Sequence, residues 1–180
     1  MYALGYQHLE FWRKHRILSD KTIARMKEAQ LTSDLVIAMN AGLQDKKDSI
    51  NKYYERWDDR VPYKRKTVDR FHDIIDIVDQ QVGGDLKDSA FRRPPLFYSL
   101  FLAIYERRYG RLGAEQQSKQ QFGEREALAL RAAITRLSDV LKQGEPPRAF
   151  ATFVTACQRQ TDNIAPRRTR LETILKEMGK

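Results

Sequence analysis

The residues able to do chemistry in this chain are few and spaced apart. Histidine occurs at His8, His15 and His72, and Cys157 is the single cysteine. Asp69, His72 and Asp76 recur at i, i+3 and i+7, so a helix through them carries all three on one face. Imidazole and carboxylates at that spacing suit a divalent metal. The same stretch also reads as the solvated side of an amphipathic helix, and a metal site would need ligands from a second element. A metal-dependent hydrolase built on His72 is therefore the third-ranked reading, and no cofactor is expected.

The stretch Gly42-Leu-Gln-Asp-Lys-Lys47 raises a second chemistry. A phosphate loop needs Gly-x-x-x-x-Gly-Lys-Ser/Thr after a strand, so that backbone N–H groups approach the phosphates. No second glycine precedes Lys46, and the run before Gly42 has helical period. Gly42 is expected to cap that helix in the left-handed conformation, with Asp45 opening the next. Asp85-Leu-Lys87 imitates half of a strand-borne nuclease motif but falls between helices. Hydrolase triads lack their parts, since no Gly-x-Ser-x-Gly occurs. No catalytic residue is assigned.

The arginines give a stronger signal. Arg92 and Arg93 stand just before the helix opened by Pro94, whose dipole would help them hold a phosphate. Arg107, Arg108 and Arg111 lie at its other end, and Arg167, Arg168 and Arg170 begin the last helix. Tyr105 and Tyr109, if exposed, would stack on bases. The competing reading is structural: Arg107 and Arg108 complement a helix C-terminus, and Arg170 makes an internal salt bridge.

Charge distribution favours a phosphate-facing second half. The net charge is +9 over 180 residues. Residues 1–90 hold 16 Lys/Arg against 15 Asp/Glu, and residues 91–180 hold 17 against 9. Arginine pairs bidentately with phosphate, although a basic surface also serves solubility alone. With 41% hydrophobic and 32% charged residues, the composition is that of a folded globular chain. The longest apolar run, Leu96–Tyr105, is about half a bilayer span, so a buried helix and no membrane association are expected. No secretory signal is visible, and one cysteine suits a reducing cytoplasm.

Elements positioning these residues read as helices throughout. Tyr6, Leu9, Phe11 and Trp12 give one face of a first helix ending in Arg13-Lys-His-Arg16. Ser19-Asp20 caps a short helix, and Thr32 or Ser33 caps the next. Helices are expected over about 46–57, 63–82 with Gly83-Gly84 as its stop, 94–109, 124–142, onward from Pro146-Pro147, and 165–178. The class is all-α, a bundle of about seven to eight helices. It forms one domain over 1–180, with sub-lobes 1–109 and 123–180 considered on either side of the polar loop 110–122.

Leu9 to Met26, Leu31 to Lys47, Tyr53-Tyr54, Phe91 with Leu96–Tyr105, and Arg167-x-x-Arg170 before Leu171 form a pattern. It resembles the helical region of GmrSD-type prokaryotic defence (restriction) proteins. In that family the region follows a ParB-like domain whose Asp-Gly-Gln-Gln-Arg motif serves nucleotide hydrolysis and control of DNA cleavage. Neither that motif nor a His-Asn-His module occurs here. The resemblance implies an accessory domain beside a ParB-like nuclease/NTPase partner that holds the enzymatic activity.

The leading expectation is thus a non-enzymatic DNA-binding module contacting phosphates through Arg92, Arg93, Arg107, Arg108, Arg111, Arg167, Arg168 and Arg170. The alternative is a protein-interaction scaffold that docks Tyr6, Leu9 and Trp12 on a partner domain or on a second copy of the chain.

Overall fold

The computed structural model describes residues 2–45, 52, 53, 55, 64–114 and 118–179. The chain is all-α, with no strand among the described residues. Four helices come first: α1 (Tyr2–Gln7), α2 (Leu9–Lys14), α3 (Asp20–Ile23) and α4 (Lys27–Ala41). Next, α5 (Lys64–Ile77) runs through a π-helical turn at Val78–Val82 into α6 (Gly83–Leu86). A 3-10 turn at Ala90–Arg92 leads into α7 (Pro94–Tyr109), followed by α8 (Glu124–Lys142). A further 3-10 turn at Arg148–Phe150 opens α9 (Ala151–Gln158), and α10 (Ile164–Met178) comes last.

Helix α7 is the axis of the fold. Every residue from Leu96 to Tyr105 is buried, as expected of a helix apolar on all sides. Helices α4, α5 and α10 pack directly on it, α1 lies on α4, and α8 and α9 lie on α10. Trp12 meets Phe97 edge-on at 5.6 Å, and Phe71 lies 5.1 Å from Phe101. Residues from Leu4 through Met178 join one apolar cluster, so segments 1–109 and 123–180 share a core. No helix among the described residues is long and apolar enough to cross a membrane.

The strongest punctuation in the sequence is obeyed. Proline at the first position opens α7 and Gly110 closes it, while Glu124 and Lys142 bound α8 as expected. Gly42 closes α4 with φ +82° and ψ −176°. Its φ is positive as expected of a glycine cap, but its ψ is extended rather than left-handed helical. The helix expected over 46–57 falls mostly outside the described residues.

Three local expectations fail for tertiary reasons. The first helix is broken at His8 into α1 and α2. A Cβ on Gly5 would sit 2.9 Å from Thr32 Oγ1, so α1 lies tightly against α4, and the Trp12 indole N–H donates to the Gly5 carbonyl at 3.1 Å. Thr32 and Ser33 do not cap α4 but lie buried within it, the Ser33 hydroxyl donating to the Ala29 carbonyl at 2.7 Å. Gly83 does not stop the α5 segment, because its φ of −58° is helical and α6 begins there. Its lack of a side chain serves packing instead: a Cβ would fall 2.5 Å from Cε1 of the buried His15.

Candidate nucleic-acid interface

The eight arginines singled out by sequence divide sharply. Arg167 and Arg170 are buried, at 2% and 1% exposure, and are withdrawn from any phosphate. Arg167 grips the Asp34 carboxylate with two hydrogen bonds of 2.8 and 2.6 Å, donates to the Tyr98 hydroxyl at 2.9 Å and lies 4.2 Å over that ring. Arg170 donates to Ser99 Oγ at 3.0 Å and to the Ala156 and Thr161 carbonyls at 2.7 Å each. These partners are neutral acceptors, in place of the expected salt bridge. Burial lowers the Arg170 pKa from its ordinary value, because nothing nearby fully offsets desolvation of the cation.

Arg108 is largely committed as well. Its guanidinium forks onto Asp73 at 2.8 and 3.2 Å and also donates to the Gln120 carbonyl. Asp73 further accepts from Tyr109 at 2.8 Å and Lys119 at 3.3 Å. Burial pushes the Asp73 carboxyl up, but hydrogen bonds from Arg108, Tyr109 and Lys119 outweigh it and hold the group below the usual carboxylate value. Asp73 thus ties α5 to the end of α7 and to the polar loop after it. Tyr105 and Tyr109 are buried and present no face for base stacking.

Arg92, Arg93, Arg107, Arg111 and Arg168 remain exposed. Chain folding brings Arg111 and Arg168 to a single cleft of about 470 Å³, between the end of α4, the loop after α7 and the face of α10. Leu43, Leu112, Leu171 and Leu175 line it with them, as do Glu106 and Glu172. Glu106 accepts from the Leu112 N–H at 3.2 Å. Arg92 and Arg93 stand at the opposite end of the 16-residue α7, about 24 Å away along its axis. The two groups therefore cannot hold the same phosphate.

The proposed docking face also changes. Trp12 has no exposed surface and belongs to the core, and Leu9 is partly buried. Tyr6 is 58% exposed and stacks on Tyr2, itself 53% exposed, with ring centroids 6.2 Å apart.

The His72 face contains a contact across elements. His8 Nε2 lies 2.9 Å from His72 Nδ1, joining the α1–α2 junction to α5. Burial, then the neighbouring His72, lowers the His8 pKa to about 4 despite an opposing pull from Asp76. Asp69 and Asp76 are exposed. Among the described residues no group of three or more His, Cys, Asp or Glu side chains is already gathered for a metal ion. Asp85 and Lys87 sit at the end of α6, with no strand beside them.

Sequence reading missed Asp34, which claims Arg167, and put Asp73, which claims Arg108, on the solvated face with His72. A signal existed for both buried arginines. Arg167, Arg170, Leu171, Ile174 and Met178 follow the apolar stripe of α10, whereas Arg168 lies off it. Asp34 likewise sits inside the apolar run Leu31–Met39.

No family model matches the chain, and no curated protein or solved structure matches it.

Proposed function

We propose that this chain is a non-enzymatic helical module that binds DNA, or another nucleic acid, through its phosphates. It would serve beside a ParB-like nuclease/NTPase domain in a GmrSD-type bacterial defence system. The observation that carries the binding reading is the gathering of Arg111 and Arg168, distant in sequence, at one open cleft that Glu106 and Glu172 also line. Arg92, Arg93 and Arg107 are exposed as well and are further candidates for phosphate contacts. The link to defence systems rests on the sequence resemblance alone.

Fluorescence anisotropy with a labelled duplex and a labelled single strand, at low and moderate salt, tests this reading. Affinity should fall steeply with salt, because each neutralised phosphate releases counterions. R111A/R168A should lower the salt slope by about two contacts' worth, roughly 1.8 in log–log units on duplex. Absence of binding to either probe at low salt overturns the proposal.

A second reading, a protein-docking scaffold, is favoured by the exposed Tyr2–Tyr6 stack. Trp12 is core, so removing the first two helices would unfold the chain rather than test the surface. Y2S/Y6S is the suitable variant. Light scattering that finds the parent chain and this variant equally monomeric at high concentration removes the self-association form of this reading.

A further inference from the structure

A metal ion at the Asp69–His72–Asp76 face would need a ligand from a second element, and the fold provides one. His8, at the break between α1 and α2, places its Nε2 2.9 Å from His72 Nδ1, with the rings 4.8 Å apart. We propose that His8 Nε2 and His72 Nδ1 form a zinc-binding pair on the protein surface, completed by the Asp76 carboxylate and water. The proposal is independent of nucleic-acid binding.

Two observations support it. The first is distance. Two nitrogens each about 2.05 Å from a tetrahedral zinc lie about 3.3 Å apart, so the nitrogens must open by about 0.4 Å and each ring must turn to aim its lone pair at the ion. In the metal-free pair one ring donates and the other accepts. Zinc replaces that shared hydrogen, and the donor ring carries its proton on its other nitrogen, so both rings ligate as neutral imidazoles.

The second is the availability of a carboxylate. Asp73 and Asp79, on the same helical segment, are committed to Arg108, Tyr109 and Lys119, and to Lys14 and His15. Asp76 is exposed and lies one helical turn beyond His72. A side-chain rotation is needed to bring it onto the metal, since a three-ligand group is not yet assembled. One carboxylate against a divalent ion also leaves the site cationic overall, as expected for an exposed site of modest affinity.

The test uses the full chain without a polyhistidine tag. Zinc chloride is titrated by calorimetry, and histidine side-chain ¹H–¹⁵N spectra are recorded in parallel. One zinc per chain should bind, with resonances of His8 and His72 moving together. The buried His15 should stay fixed and serves as the internal reference. H8A and H72A should each weaken binding roughly tenfold or more, and D76N by a smaller factor. The spectra on the parent chain decide the matter even if a variant folds poorly. Shifts at only one of the pair, no shift up to millimolar zinc, or an affinity unchanged in folded H8A overturns the proposal.

Discussion

Replacing Arg167 by methionine isolates the most consequential buried interaction in the molecule. The Arg167 and Asp34 side chains are 2% and 4% exposed, and their two hydrogen bonds are 2.8 and 2.6 Å long. Methionine fills much of the arginine volume but leaves the Asp34 carboxylate buried without its main partner. It also removes the donor to the Tyr98 hydroxyl. Stranding one charge of a buried pair costs about 3–5 kcal/mol, a large share of the ~5–15 kcal/mol stability of a typical domain. Removing both charges should be far milder, because a buried pair and well-packed apolar residues of similar volume are often close in stability. The double variant D34L/R167M should therefore recover most of what either single substitution loses. Urea denaturation followed by circular dichroism measures all four corners of the cycle. R168A, one residue along, should stay within about 0.5 kcal/mol of the parent as an exposed control. A loss below about 1 kcal/mol in R167M, or a double variant as unstable as the sum of the singles, would refute the reasoning.

Two further outcomes follow from close contacts around His15. Burial pushes the Asp79 carboxyl up, but hydrogen bonds from Lys14 and His15 outweigh it and hold it below its ordinary 3.8. Its contribution is therefore complete above that value and is lost as pH falls through the lower folded-state pKa. Urea midpoints measured down the acid range should fall less steeply in D79N, and an identical slope would contradict the assignment. G83A should destabilise the fold by about 1–3 kcal/mol, because the new methyl meets the His15 ring. That ring is bonded to Asp79 at 2.6 Å and packed against Phe11 at 4.8 Å, so it has little room to yield. In an H15A background the penalty should vanish, and thermal melts that show it undiminished would count against the contact.

Local signals in the sequence succeed where chain chemistry alone sets the outcome. Proline and glycine bound α7, and Ile134 and Leu137 turn inward on α8 as their spacing implies, whereas Leu128, expected inward with them, is 55% exposed. They fail where a partner from elsewhere decides. Thr32 and Ser33 look like caps because their hydroxyls compete for backbone groups, but packing of α1 across α4 keeps them inside a helix. The break at His8 leaves no mark in the apolar spacing. It reflects Gly5 pressed against α4 while Trp12 packs on Phe97.

By itself the sequence determined an all-helical chain, a central helix built on a long apolar run and a basic excess almost wholly in the second half. Those are sums and periods, and they need no knowledge of neighbours. Only tertiary structure decided which of those charges face solvent. Arg167 and Arg168 are adjacent in the chain, but one turns inward to Asp34, 133 residues away, and the other lines an open cleft. A helix turns by about 100° per residue, so adjacent side chains face different surroundings. The energy of a charge depends on those surroundings rather than on its place in the sequence. The candidate nucleic-acid surface is accordingly smaller than the arginine pattern implied.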